Sequence, residues 1–119
     1  MSKLTITIEK HPELENTHLA HFEGAFDGSI KEPLAELENL INSDLTKANF
    51  IFDFKNLDYL NSYAIGQLVD WQNHLTKNNG QIIATGLSKN VEDIFDIVGV
   101  SNLFKIFPDV ESALESLKA

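Results

Sequence analysis

Apolar and polar residues alternate at the start of the chain, which is the pattern of strands with one buried face. The alternation covers residues 4–9, and residues 17–23 form a second strand candidate. The polar segment between them contains the strand-breaking residues 11–13, so the two strands are predicted to form an antiparallel hairpin. Gly24 is predicted to end the second strand.

Apolar residues at spacings of four, three and four then predict an amphipathic helix. Its apolar stripe consists of Ile30, Leu34, Leu37 and Ile41. Pro33 belongs in the first turn, where a missing N–H leaves no hydrogen bond unmade. Ser29 with Glu32 has the spacing of a capping box, and Glu32 directly before the proline is an equally good cap. Two starting positions therefore stay open for this helix.

The middle of the chain predicts a buried strand followed by alternating helices and strands. Residues 49–54 are aromatic-rich and flanked by polar residues, which is typical of a central strand buried on both faces, and a turn is predicted over 55–61. A helix follows, with Trp71 near the edge of an inward stripe made of Ile65, Leu68, Val69 and Leu75, and then a strand over 81–86. The next helix stops at Gly99 and has as inward residues Val91, Ile94, Phe95 and Val98. A strand over 103–107 comes next, and Pro108 and Asp109 open a last helix whose inward residues are Val110, Ala113, Leu114 and Leu117. This order predicts an α/β fold in which about four helices cover one mixed sheet. We expect one domain over residues 1–119.

Composition excludes several classes of function. The chain has no cysteine, which removes thiol nucleophiles, disulfides and cysteine-bound metals. Nine Lys and Arg against eighteen Asp and Glu give a formal net charge of −9, which repels nucleic acid and anionic membranes. The sequence shows neither a signal peptide nor an apolar run long enough to span a bilayer. We therefore expect a cytoplasmic protein that does not insert into membranes.

The glycines and histidines of this chain lack the spacing that nucleotide-binding and zinc-binding sites need. Neither the glycine pattern of dinucleotide sites nor a phosphate-binding loop is found, and the four histidines lack a zinc-helix spacing. His18 and His21, three apart in a strand, are predicted to point to opposite faces. No cofactor, metal site or catalytic residue is predicted.

One alternative is a receiver-like phosphate acceptor, and it rests on acidic residues near strand ends. Asp53, Asp58 and Asp27 could form a magnesium-binding acidic pocket, with Lys89 slightly late for the lysine that such a site requires. Acidic residues at strand ends and turns are common without any function. The alternative is therefore the weaker hypothesis.

The segment Leu60-Asn61-Ser62-Tyr63-Ala64-Ile65-Gly66 links the buried strand to the next helix. Ser62 is predicted to be the N-cap of that helix. A phosphoryl group on a serine at this position is well tolerated, since its charge of about −1.5 to −2 faces the positive end of the helix dipole. Ser62 could therefore be a plain cap or a phosphorylation site.

The segment 50–66 resembles the signature of STAS domains, the anti-sigma factor antagonists, in which a hydrophobic strand and short loop lead to Asp-Ser-Ser/Thr-Gly-Leu-Gly. Segment 22–27 is similar to the family's Gly-Glu-Leu-Asp-like turn, and 80–86 and 91–106 fit its later strand, helix and turn. The resemblance implies a STAS-like fold and a non-enzymatic regulatory role in transcription. It also implies that an anti-sigma factor with serine kinase activity binds this chain and phosphorylates Ser62, and that a phosphatase reverses the modification.

The resemblance implies a partner-binding surface at the phosphorylation motif and at the turn after the second strand. Its residues are Asn61, Ser62, Tyr63, Ala64, Gly66, Gly24 and Asp27. Three of these depart from the family pattern: Asn61 replaces an aspartate, Tyr63 replaces a small hydroxyl residue, and Ala64 replaces a glycine. A second hypothesis is therefore a constitutive scaffold or accessory subunit of a sensory or transport complex, with Tyr63 and Trp71 as aromatic anchors. For Trp71 the favoured alternative is a side chain that simply flanks the core.

Overall fold

The computed structural model describes residues 3–29, 31–43 and 45–118. Within them the chain forms a five-stranded sheet and four α-helices. In chain order the elements are β1 (Leu4–Lys10), β2 (Thr17–Phe26), α1 (Glu32–Ile41), β3 (Asn49–Leu60), α2 (Ser62–Lys77), β4 (Gln81–Thr85), α3 (Lys89–Val98), a 3-10 turn (Ser101–Leu103), β5 (Lys105–Phe107) and α4 (Val110–Leu117). No helix among these residues is both long enough and apolar enough to cross a membrane.

The strands lie side by side in the order β1-β2-β3-β4-β5. β1 and β2 form an antiparallel hairpin, and β2 to β5 run parallel to one another. Parallel neighbours need crossover connections, which α1, α2 and α3 provide. The predicted α/β fold with a mixed, helix-covered sheet is confirmed.

The two faces of the sheet bury different side chains. On the face covered by α1, α2 and α3, which we call the aromatic face, the strands β2 and β3 contribute Phe22, Phe50, Phe52 and Phe54. On the opposite face, which we call the α4 face, the core residues are Leu19, Ile51, Ile83 and Ala113. Successive residues of β3 alternate between these cores, so its first half is buried on both faces, as predicted.

β2 and β3 both continue beyond the strand ends that the sequence predicts. β2 passes through Gly24, and β3 replaces the turn expected over 55–61, because the two strands stay paired as far as Phe26 and Leu60. Gly24 has a φ of +101°, and a Cβ there would clash with the carbonyl oxygen of Lys3. The glycine therefore allows β1 to approach closely, and the prediction that it ends the strand is wrong.

The start of α1 uses neither predicted cap. The N-cap residue is Lys31, whose side chain makes no cap hydrogen bond, and Glu32 is already helical. The hydroxyl of Ser29 donates instead to Asp27 Oδ1 at 2.6 Å. Pro33 lies in the first turn, as predicted. Of the predicted stripe, Leu34, Leu37 and Ile41 are buried, and Ile30 lies outside the described residues.

The segment after α3 departs from the prediction. Gly99 ends α3 in the left-handed conformation, as predicted, with a φ of +85°. Val98, expected to point inward, is half-exposed. The strand expected over 103–107 begins only at Lys105, because residues 101–103 form the 3-10 turn.

A glutamine of α2 supplies hydrogen bonds next to the short strand β5. Gln72 Oε1 accepts from the backbone N–H of Ile82 at 2.7 Å, and Gln72 Nε2 donates to the carbonyl oxygen of Leu103 at 2.6 Å. Pairing between β4 and β5 begins one residue later, at Ile83. One side chain thus links α2, the edge of β4 and the turn before β5.

The last helix starts as the sequence predicts. Asp109 is the N-cap of α4, and its Oδ1 accepts from the N–H of Ser112 at 2.7 Å. The predicted inward residues of this helix all belong to the α4-face core or pack against it: Val110, Ala113, Leu114 and Leu117.

Candidate functional site

Asn61 separates β3 from α2 and makes hydrogen bonds in two directions. Its Oδ1 accepts from the N–H of Ala64 at 3.2 Å, which caps α2, and its Nδ2 donates to the carbonyl oxygen of Asp27 at 3.1 Å. The prediction that Ser62 is the cap is wrong, since Ser62 is the first helical residue. β3 continues to Leu60, and asparagine is as good a cap as serine. Asn61 therefore ties the start of α2 to the β2–α1 loop.

Ser62, Tyr63 and Gly66 are exposed at the start of α2, and we call them the α2 surface. Ser62 and Gly66 are one helical turn apart and share a side of the helix. A Cβ added to Gly66 would meet no atom within 4 Å, so this side is open. The three residues can be contacted together by one macromolecule.

Two of the predicted partner-binding residues are parts of packed elements of the fold. Ala64 is fully buried in the aromatic-face core, and Asn61 accepts from its N–H. Gly24 lies within β2, between Leu4 of β1 and Leu57 of β3. The part of the predicted surface that the structure brings together is therefore the α2 surface with Asn61 and the loop at Asp27.

The carboxylate of Asp27 is held by the residue two positions further along the loop. Its Oδ1 accepts from the hydroxyl of Ser29 at 2.6 Å and from the Ser29 N–H at 2.9 Å. These two hydrogen bonds, the hydroxyl first, hold the pKa of Asp27 below its ordinary value. A negative charge is thus fixed in the loop that Asn61 contacts.

The ring of Tyr63 lies against the backbone of Gly28. A Cβ added to Gly28, whose φ is +87°, would come within 2.9 Å of the Tyr63 Cδ1 atom. This position therefore needs glycine both for its backbone conformation and for the ring. Gly28 is missing from the sequence-based set of site residues, although an Asp-Gly pair after a strand is a strong turn signal.

Trp71 is a core residue. Its side chain is 3% exposed and its ring packs against those of Phe26 and Phe52, with centroids 6.2 and 6.0 Å away. A role of Trp71 as a surface anchor is therefore wrong, and the favoured alternative, a side chain packed at the core, agrees with the structure. Of the two proposed aromatic anchors, only Tyr63 is accessible.

Asp53, the central residue of the receiver-like hypothesis, takes part in a row of side chains across the sheet. Its Oδ2 is 2.9 Å from Nδ1 of His21, whose Nε2 is 3.2 Å from Glu9 Oε2. Lys89 forms an ion pair with Asp93 inside α3, at 3.2 Å. Across residues 3–29, 31–43 and 45–118, no three acidic or histidine side chains are placed to hold a metal ion. The structure therefore does not assemble the acidic pocket of a receiver.

The two strand histidines point to opposite faces, as predicted. His18 is buried on the aromatic face and stacks on Phe50, with ring centroids 5.1 Å apart. Burial, and then the charge of Lys10, keep the pKa of His18 below its ordinary value. His18 and His21 are thus parts of the sheet.

Comparisons with known proteins agree with this fold. The chain matches the family model of the STAS domain over residues 9–113. A STAS-domain containing protein of Pseudomonas aeruginosa (strain UCBPP-PA14) is 34% identical over 62 residues, which are 52% of this chain and 61% of that protein. The chain therefore matches less than two thirds of the length of this relative.

Two solved structures show how widely the fold is used. The anti-sigma factor antagonist SpoIIAA in its unphosphorylated form has a TM-score of 0.77 at 19% identity, and the match covers 96% of each chain. The murine anion transporter Solute Carrier 26 family member A9 has a TM-score of 0.73 at 11% identity, and the match covers 99% of this chain and 22% of the transporter. The shared feature is the fold, which occurs alone in one case and within a larger chain in the other.

Proposed function

Because this chain belongs to the STAS domain family, we propose that it is a non-enzymatic regulatory domain of the cytoplasm that binds an anti-sigma factor with serine kinase activity. The partner binds the α2 surface together with Asn61, the end of β2 from Gly24 onward, and the loop at Asp27. Phosphorylation of Ser62 releases the partner, and a phosphatase restores binding. The observation that carries the proposal is the exposed position of Ser62 at the first residue of α2.

The start of α2 can accept a phosphoryl group without damage to the fold. The cap from Asn61 uses the N–H of Ala64, and the N–H groups of Ser62 and Tyr63 belong to the first turn, where intrahelical acceptors are lacking. These groups and the helix dipole favour a charge of about −1.5 to −2 at this end. Phosphorylation would therefore change the surface and leave the helix in place.

The same charge would weaken the binding of a partner at this surface. A phosphoryl group on Ser62 adds to a surface that already carries the ionised carboxylate of Asp27. A partner shaped for a neutral hydroxyl would have to desolvate the new charge without a matching cation, which is strongly unfavourable. Release then needs no movement of the domain.

The test compares three immobilised proteins, wild type, Ser62→Ala and Ser62→Asp, as baits in lysate of the source cells. Captured proteins and the modification state of residue 62 are identified by mass spectrometry, and affinity is then measured with the purified partner. Wild type and Ser62→Ala are expected to bind the kinase, and Ser62→Asp to bind at least about tenfold more weakly, which is roughly 1.4 kcal/mol.

Ser112→Asp is the matched control, because it adds the same charge to the first turn of a different helix, α4. It is expected to bind like wild type. Equal binding by all the variants, together with an unmodified residue 62, would remove Ser62 from the switch.

A second candidate function, a constitutive scaffold subunit, is favoured by the packing of Tyr63. Its ring is 40% exposed and rests on Gly28, so it is pre-ordered for contact with a partner. In the transporter that shares this fold, the fold is one part of a larger chain. For a scaffold, Tyr63→Ala would lower affinity for the purified partner at least about tenfold, and Ser62→Asp would have no effect. Asn73→Ala, at an exposed residue later in α2, is the control. Full-strength binding by Tyr63→Ala would exclude this candidate.

A further inference from the structure

The exposed aliphatic side chains of the described residues are concentrated between positions 97 and 106. We call them the aliphatic patch: Ile97 is 84% exposed, Val98 50%, Leu103 48% and Ile106 39%. The other large hydrophobic residues with this exposure, in the same described ranges, are Tyr59 and Tyr63. A cluster of this kind on a monomer commonly marks an interaction surface.

The residues beneath and between the patch positions are well packed. The rings of Phe95 and Phe104 are in contact, with centroids 5.9 Å apart. Phe95 lies two residues before Ile97, and Phe104 directly follows Leu103. Gln72 holds the carbonyl of Leu103. Ile106 lines a groove of about 390 Å³ together with Leu87, Glu92, Phe107 and Pro108. The patch therefore spans α3, the 3-10 turn and β5 on a fixed support.

The charges around the patch are mainly negative. α3 carries Glu92, Asp93 and Asp96, and its one lysine, Lys89, is paired with Asp93. Among the residues that the structure describes, Glu92 is the only charged one that lines the groove beside Ile106. Lys105 of β5 pairs with Ile83 of the α4-face core, so its side chain belongs to the opposite face of the sheet. The surface thus combines aliphatic contacts with an acidic rim.

We propose that this α3–β5 surface binds a basic amphipathic helix of a partner protein, whose apolar side covers the aliphatic patch and whose Lys or Arg residues meet Glu92, Asp93 and Asp96. A second copy would bring two acidic rims together on chains of net charge −9 each, and an anionic membrane would be repelled as well. An added strand would find an edge only three residues long in β5. A basic amphipathic helix offers an apolar side to the aliphatic patch and positive charges to the acidic rim.

The probe is a synthetic helical peptide with leucines on one side and lysines on the other, and its partner peptide has glutamates in place of the lysines. Binding to the full chain is measured by fluorescence anisotropy, and the contact surface is mapped by amide chemical shifts. The lysine peptide is expected to shift resonances over 92–106, and the glutamate peptide to leave the spectrum unchanged. Ile97→Ser and Leu103→Ser should each weaken binding about tenfold, because each removes an exposed apolar contact.

Three controls separate this surface from general attraction to an acidic protein. Tyr59→Ser, which removes an exposed apolar side chain on β3, and Ser62→Asp, which alters the α2 surface, are both expected to bind the lysine peptide like wild type. The thermal unfolding midpoint of Ile97→Ser should match wild type, since the side chain is almost fully exposed. The proposal is thus tested independently of the proposed switch at Ser62.

Four results would overturn the proposal. They are no binding of the lysine peptide, shifts outside the α3–β5 surface, undiminished binding by both Ile97→Ser and Leu103→Ser, and concentration-dependent dimers in sedimentation that Ile97→Ser abolishes. The last result would assign the surface to a second copy of this chain.

Discussion

The starts of α2 and α4 use the same hydrogen bond with different chemistry. Asn61 Oδ1 accepts from the N–H of Ala64, and Asp109 Oδ1 accepts from the N–H of Ser112. Asn61 is neutral, and its amide also donates to Asp27 in another loop. Asp109 bears a charge, and its hydrogen bonds are to its own first turn. The start of α2 is therefore fixed by a link between two loops, and the start of α4 by a local ionic cap.

This difference matters for the residue after each cap. An ionised cap beside Ser62 would repel a phosphoryl group, whereas the amide of Asn61 holds the helix without adding charge. Because the side chain of Asn61 does not titrate, the cap of α2 lacks the pH dependence that an ionised cap such as Asp109 has. Three measurements test how the two helix starts are held.

The largest effect is expected from Asn61→Ala, which removes both the cap and the link to Asp27. The cap contributes about 1 kcal/mol and the additional hydrogen bond about 1 kcal/mol, so we expect a loss near 2 kcal/mol in the free energy of unfolding, measured with urea. Asn61→Ser keeps a good cap and should lose only about 1 kcal/mol. Asn102→Ala, at an exposed asparagine of the 3-10 turn, is the control. If Asn61→Ser is as stable as wild type, the link between the loops contributes nothing.

A smaller effect is expected from Gly28→Ala, since alanine is strained at positive φ and its Cβ would meet the ring of Tyr63. We expect a loss of about 1–2 kcal/mol in the free energy of unfolding. In a Tyr63→Ala background the loss should shrink, because the ring is gone and only backbone strain remains. Gly66→Ala is a control with the opposite sign, because helical alanine in open space stabilises by roughly 0.5–1 kcal/mol. An unchanged loss in the Tyr63→Ala background would show that the ring does not crowd position 28.

The smallest effect is the pH dependence of the α4 cap. The Ser112 N–H, and then its side chain, lower the pKa of Asp109 in the folded state. A lowered carboxyl pKa means that the charged cap stabilises fully above the unfolded pKa, near 3.9, and that this contribution disappears as pH falls through the folded value. The advantage of wild type over Asp109→Asn in unfolding free energy should therefore shrink between about pH 5 and pH 2. An advantage that is constant over this range would contradict an ionic cap.

The order and type of the elements could be predicted because burial repeats within each strand or helix. Residues 4–9 and 49–54 show their strands directly. The continuation of β2 and β3 depends on pairing between Phe26 and Leu60, which lie far apart in the chain, and no local pattern carries that information. Val98 fits the inward stripe of α3, yet it is half-exposed in the structure.

The sequence predicts where the candidate site lies, but it does not predict the contacts that form it. The predicted cap, Ser62, lies one residue after the observed cap, Asn61. Serine and asparagine cap equally well, so only the end of β3 decides between the two positions. The contact between Gly28 and Tyr63 joins the β2–α1 loop to the first turn of α2, and the two meet only in the folded chain. Trp71 is buried because phenylalanines of two strands meet it, and helical spacing alone does not show this.

Gln72 has a consequence for the behaviour of the protein at high concentration. Unpaired backbone groups at a sheet edge can template the addition of strands from other molecules, which leads to aggregation. β5 pairs with β4 only from Ile83 onward, and the Gln72 amide occupies the N–H of Ile82 and the carbonyl of Leu103 just beyond that pairing. The Gln72 side chain thus occupies backbone groups at the part of the edge that β5 does not cover, which leaves fewer of them for an added strand.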